Sequence, residues 1–147
     1  MLRAVSALLF LVASSASCSS SSESAAAPTA VTQTIGPEGG AIVVGGATVT
    51  FPKGAVSAPL SITISATETS PEGYVLLSHV FECGPSGSEF AMPVTMQMPF
   101  TDDGKGGTLF WSERGEATFK DLGGRIEGNT VIASVSHFSS GFVGRKK

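Results

Sequence analysis

An all-β fold, an antiparallel β-sandwich of about eight short strands, is predicted by three features of the sequence. Apolar and hydroxyl residues alternate in short segments, most clearly in Leu60-Ser61-Ile62-Thr63-Ile64-Ser65-Ala66-Thr67. A period of two is that of a strand with one face buried. Glycine is abundant, 18 residues in 147, and often falls in pairs between such segments, where turns need positive φ. No stretch after Ala13 carries apolar residues at helical spacing for three turns, and Pro52, Pro59, Pro71, Pro85, Pro93 and Pro99 would interrupt most candidates.

The elements follow in order. Ala41–Val44 and Ala47–Phe51 read as strands joined across Gly45-Gly46, a pair suited to a tight hairpin. Leu60–Thr67 is the clearest strand, and Tyr74–Glu82 reads as one longer strand. In Val94-Thr95-Met96-Gln97-Met98 the Val and Met side chains should enter the core while Thr95 and Gln97 face water. Thr108–Ser112, Ala117–Asp121, Val131–Ser136 and Gly141–Val143 complete the set, with turns at Gly39-Gly40, Gly106-Gly107, Gly123-Gly124 and Gly128-Asn129. The basic end, Gly144-Arg145-Lys146-Lys147, reads as frayed.

Before the first strand the sequence reads as an address. Met1 to Arg3 is positive, Ala4 to Ala13 is apolar, and Ser14 to Ser17 is a run of small residues before Cys18, the layout of a signal peptide. The apolar run is too short to cross a bilayer, which takes about 20 residues. Ser15-Ala16-Ser17-Cys18 resembles a bacterial lipobox, with Ser15 where Leu is usual. The resemblance implies a diacylglyceryl group on the Cys18 thiol. Ordinary cleavage after Ala16 is the alternative, and it would leave Cys18 as a free thiol. Ser19 to Pro28 is a polar Ser/Ala tether. The expected division is a signal over 1–17, a tether over 18–30 and a β-sandwich over 31–147. No Asp follows Cys18, so an outer-membrane lipoprotein is the expected address, and a secreted or periplasmic protein the alternative.

Charge excludes one class of partner. Nine Lys and Arg against twelve Asp and Glu give a net charge of -3, and the cations are spread thinly, whereas nucleic-acid binding needs them clustered. Loss of Arg3 with the signal moves the balance to -4, eight against twelve. With Cys18 lipidated, Cys83 has no intrachain partner, so the core alone must stabilise the domain. Cys83 lies among apolar positions and reads as a buried, inert thiol, because a nucleophile would need a nearby base.

Two segments carry a family resemblance. Gly36-Pro37-Glu38-Gly39-Gly40 through Phe51-Pro52-Lys53-Gly54-Ala55-Val56 resembles the opening of the ZU-five domain of zonula occludens proteins, netrin receptors and ankyrins. Phe81-Glu82-Cys83-Gly84-Pro85-Ser86-Gly87-Ser88-Glu89-Phe90-Ala91-Met92-Pro93-Val94 is similar to that family's Cys-Gly-Pro-x-Gly, Phe, Pro-Val core, with Ser86 where His is common. The resemblance implies a β-sandwich in which Phe90 and Val94 fill the interior. In the animal proteins such domains act as docking modules.

One segment brings nucleophile and base types together: Ser136-His137-Phe138-Ser139-Ser140. In some members of the family a His-Phe-Ser sequence cleaves its own chain. Carried over, His137 would be the base, Phe138 the acyl residue and Ser139 the nucleophile. The structural reading of the same residues has Phe138 anchoring the last strand in the core while His137 and Ser139 hydrogen-bond around the turn. Thr101-Asp102-Asp103-Gly104-Lys105-Gly106-Gly107 has two adjacent carboxylates, fewer oxygens than a calcium loop needs, and reads as a solvated hairpin turn. His79 and His137 form no ligand pair, so neither a metal nor a cofactor is expected. Trp111, with Tyr74 or Phe119 nearby, could stack on a carbohydrate, although a core Trp is the commoner outcome.

The expected function is therefore a non-enzymatic envelope lipoprotein. It would bind the membrane through lipid on Cys18 and use its β-sandwich as a structural or protein-interaction module toward an envelope protein. An autoprocessing domain cleaving between Phe138 and Ser139 and a carbohydrate-binding module are the alternatives.

Overall fold

The structure, a computed structural model, describes residues 29–114 and 116–147. The signal, the lipidation site at Cys18 and nearly all of the tether lie outside the described residues. Among the described residues twelve strands make two antiparallel sheets. The fold is the expected sandwich, built from more strands than the eight or so read from the sequence.

The chain runs β1 (Ala30–Ile35), β2 (Gly40–Val44), β3 (Ala47–Phe51), β4 (Leu60–Thr67), β5 (Tyr74–Leu76) and β6 (Val80–Gly84). It continues through β7 (Glu89–Pro99), β8 (Thr108–Ser112), β9 (Phe119–Gly123), β10 (Arg125–Glu127), β11 (Thr130–His137) and β12 (Ser140–Lys146). The seven-stranded sheet has the order β1-β4-β6-β12-β8-β9, with β5 paired to β12, and the five-stranded sheet the order β10-β11-β7-β3-β2. The chain changes sheet repeatedly, so two connections read as local turns are crossovers. Thr101–Gly107 links β7 of one sheet to β8 of the other, and Gly123-Gly124 leads from β9 to β10 in the same way.

Alternation decides which side chains meet between the sheets. Ile62 and Ile64 from one sheet and Val49, Val94, Met96 and Met98 from the other are all 0% exposed, while Gln97 is exposed. Each such burial removes an aliphatic side chain from water, worth roughly 1.5–3 kcal/mol. At one end Phe51, Phe90 and Phe138 pack edge to face, with centroids 4.7 to 5.8 Å apart, the arrangement the ring quadrupoles favour. Gly45 and Gly46 carry φ of 55 and 80, the two positive values that a tight I′ hairpin between β2 and β3 requires. Gly54 N donates to Pro37 O at 2.8 Å, which joins the two halves of the Gly36–Val56 pattern.

Four local readings change. Tyr74–Glu82 is two strands, because Leu77 N and Ser78 N both donate to Val143 O and break the ladder between β5 and β6. The start of the fold lies one residue inside the expected tether, since Ala30 pairs with Ser65. Ala117–Asp121 moves two residues along to β9. The basic end is not frayed: Gly144, Arg145 and Lys146 pair with β5, and Arg145 holds both oxygens of Asp103 at 2.9 and 2.5 Å.

Candidate functional site

The His137-Phe138-Ser139 segment is the crossover between the sheets, with β11 ending at His137 and β12 beginning at Ser140. A connection of two residues must pass through the core. Phe138 does so at 0% exposure and Ser139 at 5%. Three backbone hydrogen bonds compensate for what this path removes from water. Phe138 N donates to Ser88 O at 2.8 Å, Gly87 N to Phe138 O at 2.8 Å, and Cys83 N to Ser139 O at 2.9 Å.

The Ser139 hydroxyl lies 2.5 Å from Ser112 Oγ, with either as donor, and 3.3 Å from Glu113 O. Ser112 Oγ also accepts from Ser140 N at 3.1 Å. His137 Nε2 is 3.4 Å from Ser112 O. Both side chains therefore reach the end of β8, and no hydrogen bond joins the imidazole to the Ser139 hydroxyl among the described residues. No described residue other than glycine has a positive φ, so the crossover carries no left-handed strain. Ion pairs close over it. Lys120 Nζ is 2.7 Å from Glu113 Oε1, and that hydrogen bond, with the charge behind it, holds the Glu113 carboxyl below the usual range. Arg114 pairs with Glu89, which stands opposite His137 on β7.

The aromatic residues considered for sugar stacking do not share a surface. Trp111 points inward at 2% exposure, and its ring is covered. Ser112 pairs with Phe119, and Trp111 with Lys120, which puts Phe119 on the opposite face of the sheet from Trp111. There Phe119 and Tyr74 pack over Phe110 and Phe142 in a second, smaller apolar cluster. The run Leu109-Phe110-Trp111 breaks alternation because both faces of β8 are buried.

The other singled-out residues are engaged elsewhere. Asp102 Oδ1 accepts from Gly104 N at 2.9 Å and Asp103 Oδ1 from Lys105 N at 3.2 Å. Arg145 takes the Asp103 carboxylate and lowers its pKa. Among the described residues no group of His, Cys, Asp and Glu is placed to hold a metal ion. Cys83 is a free, buried thiol, and burial pushes its pKa up to about 12, the reverse of what a nucleophile needs.

A cleft of about 600 Å³ opens at the end of the sandwich where β5–β6, β7 and the β7–β8 crossover meet. Its floor is apolar: Leu76, Leu77, Pro99 and Phe100. Polar groups stand at the rim, with His79 Nδ1 3.8 Å from Glu68 Oε1 and Thr101 and Asp103 across from them. An apolar floor with a few convergent polar groups is the usual form of a binding site, and the volume is in the common range. Sequence reasoning singled out His79 here as a lone imidazole, and Thr101 and Asp103 only as part of a solvated turn. The floor residues come from separate strand ends, and no spacing in the chain announces them.

The profile of the ZU5 domain family matches residues 31–110. The match contains both segments that carried the resemblance and ends before the crossover at Phe138. No curated protein matches the chain.

Proposed function

The chain belongs to the ZU5 domain family, and from that premise we propose that it is a non-enzymatic envelope lipoprotein whose sandwich binds another protein. Membership in this family points to a protein-interaction module. The observation that carries the reading to a place on this chain is the end cleft, where Leu76, Leu77, Pro99 and Phe100 offer an apolar floor to a partner's side chain and Glu68, His79 and Thr101 a polar rim. Such anchors, seated in a pocket and ringed by polar contacts, carry most of the energy of an interface. Pull-down from envelope extracts with the tethered protein, compared with Thr101→Trp, tests this: partners retained by the wild type and lost from the variant support it, and identical capture by both refutes it.

The anchor is a diacylglyceryl group on Cys18, followed by the tether to Ala30. The Ser15-Ala16-Ser17-Cys18 sequence supports it. Labelled palmitate should enter the wild type and not Cys18→Ala. A soluble, unlabelled wild type would support the secreted or periplasmic alternative.

Self-cleavage is the second reading, and one contact favours it. Gly87 N donates to the Phe138 carbonyl at 2.8 Å, where a donor would stabilise the oxyanion formed when Ser139 Oγ attacks that carbon. The attack would convert the Phe138–Ser139 amide into an ester and free the Ser139 amine, and water would then release the Phe138 carboxylate. His137, the base this needs, is directed to Ser112 O instead. Denaturing mass spectrometry decides the matter, since two fragments in the wild type and one chain in Ser139→Ala would establish cleavage.

A further inference from the structure

On the outer face of the seven-stranded sheet, away from the end cleft, Ser65, Glu82 and Ser140 form one cross-strand row. Ser65 pairs with Glu82, and Glu82 with Ser140. The three side chains stand on neighbouring strands, about 4.8 Å apart from strand to strand. They border a depression of about 290 Å³ that Thr63, Gly84 and Ser86 also line. Gly84 gives the floor no side chain, and the neighbouring Thr63 hydroxyl is tied to Thr32 Oγ1 at 2.7 Å.

The chemistry of this row is specific. Among the described residues Glu82 has no cation beside it and the hydroxyls of Ser65, Ser86 and Ser140 have no hydrogen-bond partner, although each lines the same hollow. A carboxylate offers two acceptor oxygens and a serine hydroxyl both accepts and donates. The matching ligand presents paired hydroxyl donors to the carboxylate and further hydroxyls to either side. A pyranose does this. Two vicinal hydroxyls span the two carboxylate oxygens, and the ring reaches across one interstrand gap to Ser65 or Ser140. The near absence of charge around the row favours a neutral sugar over an ionic ligand, because a cation would find one carboxylate only.

We propose that the Ser65–Glu82–Ser140 row is a binding site for a neutral pyranose. The site is independent of the end cleft and replaces the Trp111 surface, whose ring is buried. Hydroxyl-to-hydroxyl exchange with water gains little per contact, so the affinity for one sugar ring is about millimolar. Glu82 is exposed, so Glu82→Gln keeps shape and fold while replacing one carboxylate acceptor oxygen by an amide donor.

Saturation-transfer NMR on the full chain, with glucose, galactose, mannose and N-acetylglucosamine each offered up to roughly 10 mM, tests the site. The expected result is transfer to at least one of these sugars, lost in Glu82→Gln, weakened several-fold in Ser65→Ala and unchanged in Thr50→Ala on the other sheet. Absence of transfer to all four, or transfer that survives Glu82→Gln, overturns the proposal.

Discussion

Gly141 and Trp111 stand opposite each other on β12 and β8, and the indole ring fills the space that a side chain at position 141 would occupy. A Cβ there would overlap ring carbons Cε3 and Cζ3 and come within 2.8 Å of Phe110 O. The ring lies in the sheet-to-sheet core and the carbonyl is backbone, so neither can move aside cheaply. β12 is thus fitted to β8 by the absence of a side chain, and the buried indole serves packing.

Gly141→Ala should therefore destabilise the domain by about 1–3 kcal/mol, the range for overpacking in a filled core. Urea unfolding should show a lower midpoint at an unchanged slope. Gly36→Ala is the control, because a Cβ at Gly36 meets nothing within 4 Å.

Phe138 makes the crossover an anchor. It is 0% exposed and packs edge to face on Phe51 and Phe90. Phe138→Ala should cost about 3–5 kcal/mol, and Phe138→Leu markedly less, measured in the same unfolding experiment. A loss under 1 kcal/mol for the alanine variant would contradict the anchoring role.

The hydroxyls of Ser112 and Ser139 act as a pair at 2.5 Å. Removing either leaves its buried partner short of a hydrogen bond, at about 1–3 kcal/mol. In a double-mutant cycle of Ser112→Ala and Ser139→Ala the second change should cost much less than the first, with a coupling of at least about 0.5 kcal/mol. Strict additivity would show that the contact contributes nothing.

Cys83 sets an alkaline limit. Burial raises its pKa from 9.0 to about 12, so above pH 9 the unfolded chain loses a proton that the folded chain keeps. The thiol's contribution is complete below pH 9 and is lost as pH climbs toward 12. Unfolding measured across that window should show stability falling with pH in the wild type and a flatter profile in Cys83→Ala. Iodoacetamide at pH 8 should label Cys83 only through unfolding, at a rate that follows global stability.

Legibility in the sequence tracks how local the signal is. Ala47–Phe51, Leu60–Thr67 and Thr108–Ser112 are read to the residue, because alternation or a β-rich run ends at Gly, Pro or another turn former. β1 is missed although it pairs along its whole length with β4. It follows the Ser/Ala tether directly, and its Gln33 occupies an inward register position opposite Ile62. β10 has three residues, all exposed, and carries no pattern to read. Trp111 invites a surface role because Leu109-Phe110-Trp111 breaks alternation, and only the covering of Phe110 by Tyr74 and Phe142 explains the run. The His137-Phe138-Ser139 segment is visible as a motif, yet its partners Ser112 and Gly87 lie far away along the chain. The end cleft and the Glu82 row are the least legible. Both are made by register between strands distant in sequence.

In the proposed function this ZU5 domain binds a protein at its end cleft. The direct measurement is quantitative recovery of envelope proteins by the tethered chain, comparing wild type, Thr101→Trp in the cleft and Thr50→Trp on the outer face of the five-stranded sheet. A defined set of partners should be recovered by wild type and Thr50→Trp and reduced at least about tenfold by Thr101→Trp, a change of about 1.4 kcal/mol in affinity. Equal recovery by all three proteins, or no specific partner with the wild type, would contradict it.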